Sequence, residues 1–117
     1  MDNLDGCIVL TTASSEAEAE AIASGLVSDR LAACVNIYPI KSVYRWEGAV
    51  QREEEWQLVI KTRSNYYAEV AAKIESLHSY DVPEIIVIPI EQGSSAYLKW
   101  LKAQVQPSRP EPPERFV

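Results

Sequence analysis

Two long extended segments in the middle of the chain constrain its fold most strongly. The first covers residues 32–46 and contains Pro39, and the second covers residues 53–62. Because the connection between them is short, the two segments are predicted to pair as an antiparallel hairpin. Apolar and polar residues alternate around Leu58, so one face of the hairpin is predicted to be core. Pro39 lacks a backbone N–H, which places the first strand at a sheet edge or at a bulge.

The elements on either side complete a recognisable order. An apolar strand at 7–12 and a helix capped by Ser15, in a capping box with the glutamate three positions later, precede the hairpin. A helix capped by Asn65, a strand at 85–88 and a helix that begins at 93–95 follow it. This β-α-β-β-α-β order with an extra C-terminal helix predicts an α+β, ferredoxin-like antiparallel sheet with two helices on one face.

The domain organisation follows from length and proline content. A chain of 117 residues fits one domain, predicted here at residues 1–105. Four of the seven prolines fall in the last twelve residues, so residues 106–117 are predicted to form a proline-rich, disordered tail. Its Pro110-x-x-Pro113 pattern also matches ligands of proline-binding modules, but a solvated extension is the favoured interpretation.

Charge and hydropathy exclude several partners. The net charge of −6 works against binding to nucleic acid or to an anionic membrane surface. No apolar run approaches the ~20 residues of a membrane helix, and the first residues are acidic, unlike the basic start of a secretory signal. Cys7 and Cys34 lie in apolar runs that suit reduced thiols. A cytoplasmic location is therefore expected.

The first hairpin strand also suggests self-association. Two helices cover only one face of a four-stranded sheet, and this strand carries Tyr38, Tyr44 and Trp46. Pairing between sheets of several copies would cover both the strand edge and the aromatic side chains. A homo-oligomer is predicted, the alternative being that Tyr44 and Trp46 fold back onto their own hairpin.

Enzymatic chemistry finds little support. The chain has four glycines and no Gly-rich phosphate-binding loop, so no organic cofactor is expected. His78 is the one histidine, and no serine stands in a nucleophile elbow. The chain is therefore predicted not to be an enzyme.

A polar cluster at residues 78–84 is the strongest candidate site. It contains His78, Tyr80, Asp81 and Glu84, and imidazole with carboxylate favours copper, nickel or zinc over magnesium. The same residues also suit structural roles, because a histidine at a helix C-terminus can stabilise the last carbonyls. Tyr80 can simply pack, and the two carboxylates can cap the loop.

Two further groups of residues leave alternatives open. Cys34 could supply a soft thiolate for copper, although its apolar strand favours an inert buried thiol. Glu53, Glu55 and Lys61 share one face of the second hairpin strand. That face is either a solvated charged surface or, in an oligomer, a buried one whose charges need partners.

Several motifs in order resemble one family. They are Asp-Arg-Leu-Ala-Ala-Cys-Val-Asn-Ile at 29–37, Tyr-x-Trp-x-Gly at 44–48, Glu-x-Glu at 53–55 with Lys61-Thr62, and His-x-Tyr-x-x-Pro-Glu at 78–84. Together they resemble the CutA divalent-cation-tolerance family from about residue 7 to residue 105. The resemblance implies a cytoplasmic homotrimer of ferredoxin-like subunits, with Tyr38, Tyr44 and Trp46 at the trimer interface, that binds copper and other divalent metal ions.

The resemblance also implies particular site residues. Carried over position by position, Cys34 and His78 are metal-ligand candidates, with Tyr80 and Glu84 in the same site region and Glu84 taken as the third ligand. The residue patterns described above add Asp81, Glu53, Glu55 and Lys61 to the site region. Ser79 stands where the family usually has proline, so a less rigid loop is expected. The alternative function is a trimeric scaffold or signalling protein, similar to PII-like regulators, that binds a small molecule or protein in clefts between subunits. The short hairpin connection disfavours nucleotide-linked control in the PII style.

Overall fold

The structure is a computed structural model that describes residues 5–106, so the predicted tail lies outside the described residues except for Gln106. One antiparallel sheet has the order β2-β3-β1-β4. Its elements are β1 Gly6–Ala13, α1 Glu16–Ser28, β2 Cys34–Trp46, β3 Ala49–Arg63, a 3₁₀ turn Ser64–Tyr66, α2 Tyr67–Leu77, β4 Ile86–Pro89 and α3 Ser95–Gln104. The predicted α+β order with an extra C-terminal helix is confirmed.

The hairpin is tighter than the sequence suggested. Trp46 pairs with Ala49, so only Glu47 and Gly48 form the turn. Both have positive φ, 52° and 81°, as a two-residue type I′ turn requires. β3 therefore begins at Ala49 rather than at residue 53, because the turn fixes the pairing register before any core residue is reached. β2 is an edge strand, as predicted from Pro39, and pairing continues through that residue without a bulge.

The first helix begins and ends with recognisable caps. The Ser15 side chain accepts a hydrogen bond from the Glu18 N–H, which confirms the predicted N-cap. At the other end Arg30 has φ of 59°, and the N–H groups of Arg30 and Leu31 donate to the carbonyls of Val27 and Leu26. This Schellman-type ending turns the chain directly into the next strand.

The cap predicted for α2 is wrong, and α3 has a cap that the sequence analysis did not name. Asn65 does not cap α2, because it lies inside the 3₁₀ turn and the helix begins only after Tyr66, whose side chain makes no capping bond. The extra turn of tighter helix moved the N-cap by one residue, from Asn65 to Tyr66. The third helix begins where the sequence predicted, and its cap is Ser94, whose hydroxyl accepts the Tyr97 N–H at 3.2 Å.

The core lies between one sheet face and helices α1 and α2. Alternate residues of β1 and β3 enter it, together with the apolar stripes of both helices. Its largest fully buried members include Ile22, Leu26, Leu58, Ile60 and Ile74. Cys7 is fully buried here, and both cysteines are free thiols, as predicted.

The opposite sheet face is only partly covered. The Arg63 guanidinium donates to the carbonyls of Lys102 and Val105, so α3 packs near the start of β1 and the end of β3. Much of this face stays open, and its exposed apolar side chains include Tyr38, Ile86 and Ile88. Trp46 is 47% exposed and Tyr44 is 37% exposed, although the Tyr44 hydroxyl bonds Glu53 on the neighbouring strand of the same hairpin. Within residues 5–106 no helix is long and apolar enough to cross a membrane.

Candidate functional site: an acidic cleft beside His78

A cleft of about 900 Å³ opens between the β2-β3 hairpin and the loop of residues 78–84 that follows α2. We call it the acidic cleft, because the carboxylates of Glu53, Glu55, Asp81 and Glu84 line it. Tyr44, Trp46 and Tyr80 add aromatic surface, and Lys41 is the cationic side chain in the lining. The remaining lining residues are Thr12, Ser42, Val43, Gln51, Ser79 and Val82. The fold thus joins the predicted 53–55 and 78–84 motifs at one place.

Glu55 is the most buried carboxylate of the cleft, with 7% of its surface exposed. Its Oε2 accepts hydrogen bonds from the Tyr80 hydroxyl at 2.7 Å and from the Thr12 hydroxyl at 3.4 Å. Within residues 5–106 no cationic side chain lies within ion-pair distance of it. A buried carboxylate held only by neutral hydroxyls favours the approach of a cation.

Both tyrosines of the cleft are held in the protonated form. Burial, and then the hydrogen bond to Glu55, raises the pKa of Tyr80 well above its ordinary value. The Tyr44 hydroxyl donates to Glu53 Oε1 at 2.6 Å, and this hydrogen bond raises the pKa of Tyr44 to about 12. At neutral pH each phenol therefore serves as a donor to a carboxylate and adds no negative charge of its own.

The carboxylates of the loop are more accessible than Glu55. Asp81 and Glu84 are both exposed, and neither makes a side-chain hydrogen bond or ion pair within residues 5–106. Val82 between them is 70% exposed. These two side chains are free to turn toward a cation in the cleft.

His78 lies behind the cleft wall, and its side chain has no exposed surface. The ring Nε2 is 2.6 Å from the Thr12 carbonyl oxygen, and the ring Nδ1 is 3.1 Å from the Tyr80 backbone nitrogen. The ring also stacks at a tilt on Tyr80, with centroids 4.8 Å apart. The imidazole does not bond the last helix carbonyls, which was the structural role considered for it from the sequence.

Glu18 is a member of this region that the sequence did not reveal. Its Oε2 accepts the Ser79 N–H at 2.6 Å, and its Oε1 accepts the N–H and hydroxyl of Ser14 at 3.2 and 3.0 Å. Burial raises the pKa of its carboxyl, but the hydrogen bonds from Ser79 and Ser14 outweigh that effect and lower the pKa overall. The capping pattern predicted a bond to the Ser15 backbone, whereas the side chain bridges two loops instead.

Cys34 and Lys61 lie elsewhere. They face each other across β2 and β3, and the Lys61 ammonium bonds the Asn36 side chain. Thr12, next to His78, is level with Gln57 and Tyr38, so Cys34 is four residues along the strand and two strands away. Strand geometry makes these offsets about 13 Å along and about 10 Å across the sheet. Within one chain, Cys34 therefore cannot share a metal ion with His78, and Lys61 is not part of the acidic cleft.

The described residues contain no preformed metal centre. Within residues 5–106 no three His, Cys, Asp or Glu side chains are grouped closely enough to hold a metal ion. Of the three ligand candidates, Glu84 is in the cleft lining, His78 is behind its wall, and Cys34 is at the far end of the sheet.

These features define a class of protein: a small α+β subunit with a ferredoxin-like core, open sheet edges and an acidic, aromatic cleft at the end of a long hairpin. Comparison with known proteins narrows the class. Residues 7–104 match the CutA1 family, described as the CutA1 divalent ion tolerance protein. The chain belongs to this family, as its motifs indicated.

Relatives support the assignment. The divalent-cation tolerance protein CutA of Archaeoglobus fulgidus is 45% identical over 98 residues, covering 84% of this chain and 96% of that protein. The chloroplastic protein CutA of Arabidopsis thaliana is also 45% identical, over 81% of this chain and 53% of that protein.

Solved structures agree with the fold. The structure titled as the periplasmic divalent cation tolerance protein CutA from A. fulgidus superposes with a TM-score of 0.85 at 44% identity, over 86% of this chain and 99% of that chain. CutA1 from Oryza sativa gives 0.86 at 39% identity, over 91% of this chain and 98% of that chain.

Proposed function

We propose that this protein binds divalent cations, copper foremost, in the acidic cleft. The observation that carries the proposal is the grouping of Glu53, Glu55, Asp81 and Glu84 around one cleft with a single cationic side chain, Lys41, in its lining. The names of the relatives, which refer to tolerance of divalent cations, support the same chemistry. Copper ranks first because a given set of nitrogen, oxygen or sulfur ligands binds Cu²⁺ more tightly than the other divalent first-row metals.

The ligands available to the cation from this chain are oxygens. Glu84 and Asp81 are exposed and unpaired within residues 5–106, and both hydrogen bonds of Glu55 go to Oε2, which leaves Oε1 outside them. His78 could join only by giving up its bonds to Thr12 and Tyr80. Cys34 could join only from a second subunit. We propose no catalytic step, and copper is the one cofactor proposed.

A copper titration of the reduced protein against a competing chelator tests the proposal. We expect Glu84→Gln to weaken binding by at least about tenfold, since loss of even an outer-shell partner has that effect on metal sites. The matched control is Glu20→Gln, at an exposed position of α1. Cys34→Ser should change the affinity by less than about twofold. Equal binding by wild type, E84Q and E20Q would overturn the proposal.

We propose further that the functional unit is a homotrimer. Both edge strands, β2 and β4, are free in one chain, and Tyr38, Ile86 and Ile88 are each nearly half exposed. Pairing the β2 edge of one copy with the β4 edge of the next would cover these surfaces in a closed ring. Light scattering should give three times the mass of one chain, and Ile88→Lys should lower it. A monomeric wild type would contradict this proposal.

A second candidate function is kept because of the size of the cleft. A volume of about 900 Å³ is in the range of sites for organic molecules and far exceeds the space of one metal ion. A trimeric scaffold or signalling protein that binds a small molecule or protein partner there would resemble PII-like regulators. Metal binding that is weak and indifferent to E84Q would favour this alternative.

The cellular location stays a prediction. We propose the cytoplasm on the basis of the sequence, whereas the names of two relatives specify periplasm and chloroplast for those proteins.

A further inference from the structure

The hydrogen bonds around His78 fix the protonation of its ring. A carbonyl oxygen can only accept, so Nε2, at 2.6 Å from the Thr12 oxygen, must carry the proton. A backbone N–H can only donate, so Nδ1, at 3.1 Å from the Tyr80 nitrogen, must carry none. The Glu18 carboxylate also faces the ring, but its Oε2 is 3.8 Å from Nδ1, beyond hydrogen-bond distance. The two hydrogen bonds therefore select the tautomer protonated at Nε2, and both nitrogens already have a partner.

A metal ion would have to compete with these bonds. A ligating histidine needs a free ring lone pair, and the one lone pair of this tautomer accepts the Tyr80 N–H. The side chain has no exposed surface through which a cation could reach it. Coordination by His78 would thus leave the Thr12 carbonyl or the Tyr80 amide without its partner in a buried region, which costs stability.

The same two bonds fasten the wall of the acidic cleft. His78 ties the start of the 78–84 loop to the end of β1, and Glu18 adds a second tie through the Ser79 N–H at 2.6 Å. A proline at position 79 has no N–H and could not make that bond. Fastened in this way, the loop carries the Tyr80 hydroxyl to within 2.7 Å of Glu55.

We propose that His78 is a positioning residue of the cation site and not one of its ligands. It holds the 78–84 loop so that Tyr80, Asp81 and Glu84 stand opposite Glu53 and Glu55, and it acts on the bound cation only through that arrangement. The proposal rests on the proposed function for the identity of the bound species, while the ring geometry on which it is built is independent of any metal.

A nitrogen NMR spectrum of the wild-type protein, with and without saturating Zn²⁺, tests the ring directly. We expect signals of the neutral tautomer protonated at Nε2 in the metal-free protein, and the same ring signals after Zn²⁺ is added. A tautomer protonated at Nδ1, or ring signals that shift to metal-coordinated values, would overturn the proposal. If neither Zn²⁺ nor copper binds, the proposed function fails. The tautomer of the metal-free protein still tests the hydrogen-bond geometry of the His78 ring.

Two variants separate positioning from ligation. In His78→Asn the amide oxygen can take the place of Nδ1 and accept the Tyr80 N–H, while the bond to the Thr12 carbonyl is lost because the shorter side chain does not reach the place of Nε2. The Glu18 bond to the Ser79 N–H still ties the loop in this variant. His78→Ala has neither the acceptor nor the donor. We expect slow amide exchange of Tyr80 in wild type and H78N and fast exchange in H78A. Copper affinity should follow the same order, with H78N within about threefold of wild type and H78A weaker by at least about tenfold. Loss of copper binding in H78N with Tyr80 exchange still slow would contradict this order and overturn the proposal.

Discussion

His78 and Cys34, which a motif comparison assigns to one metal site, lie at opposite ends of the sheet. The two ends differ in their hydrogen bonding and in the residues that surround the candidate ligand. At the His78 end, a buried ring, two carboxylates and two hydroxyl groups form a continuous hydrogen-bonded network beside an acidic cleft. At the Cys34 end, the thiol lies among strand residues near α3, and Lys61 and Asn36 bond each other. Residues that share a family's motifs need not meet within one chain.

The difference also explains what each end can contribute. The polar network fixes a loop that follows a helix, which is otherwise a mobile kind of segment. The Cys34 end is fixed by strand pairing together with two separate side-chain bonds, from Lys61 to Asn36 and from Thr62 to the Leu31 carbonyl. A neighbouring subunit is therefore the one route by which Cys34 could approach a cation in the acidic cleft.

The largest expected effect is the loss of stability on removing His78. His78→Ala leaves the buried Thr12 carbonyl and the Tyr80 amide without partners and opens a cavity, so we expect a loss of about 3 kcal/mol in the free energy of unfolding. Urea denaturation measures it. Cys34→Ser, at the partly exposed end, should cost less than about 1 kcal/mol. Equal losses at the two positions would remove the contrast between the ends.

A smaller loss is expected from a buried hydroxyl near the Cys34 end. The Thr62 hydroxyl donates to the Leu31 carbonyl at 2.6 Å, and Thr62 is fully buried. Thr62→Val keeps the shape and leaves that carbonyl unpaired, so we expect a loss of about 1.5 kcal/mol in urea denaturation. Copper affinity should not change, since the bond lies away from the acidic cleft. A weakened affinity would show that the two ends are coupled.

Lowering the pH should reduce the free energy of unfolding through protonation of Glu18 at the His78 end of the sheet. Because the pKa of Glu18 is lowered in the folded protein, its contribution to stability is fully present above the ordinary glutamate value of 4.5 and is lost as pH falls through the lowered pKa. Unfolding free energies measured from pH 6 down to pH 3 should therefore fall more steeply in wild type than in Glu18→Gln. Identical pH profiles would contradict the bridge that Glu18 makes to Ser79.

The smallest effect is spectroscopic. Tyr44 should ionise near pH 12 because its hydroxyl donates a hydrogen bond to the Glu53 carboxylate, which favours the protonated phenol. Glu53→Gln should bring that ionisation back toward pH 10. Ultraviolet titration, with Tyr44→Phe to identify the signal, follows the change. No difference between wild type and E53Q would mean that the two side chains are apart in solution.

The sequence was informative where local chemistry decides structure. The Ser15 cap, the edge position that Pro39 allowed and the alternation around Leu58 all follow from rules that act within a few residues, and each is confirmed. The predicted start of α2 was wrong because Asn65, which suits a helix cap, lies inside a 3₁₀ turn that precedes the helix. The bounds of β3 depend on the two-residue turn at Glu47 and Gly48. This turn needs a positive φ at Glu47, and a glutamate gives no indication of that conformation.

The site was less predictable, for a physical reason. The grouping of Glu53 and Glu55 with the 78–84 loop depends on the register of the sheet, and no local pattern encodes it. Glu18 looked like half of a capping box, because its partner Ser79 lies 61 residues away. Both nitrogens of His78 are used by backbone groups, Thr12 and Tyr80, and backbone partners leave no mark in a sequence.

The most direct test of this account is an electron paramagnetic resonance spectrum of the copper(II)-loaded protein. A cation held by the carboxylates of the acidic cleft, with His78 behind its wall, predicts a spectrum of oxygen ligands without coupling to imidazole nitrogen. It should be the same in wild type and His78→Asn. Imidazole coupling that is present in wild type and disappears in H78N would contradict the account.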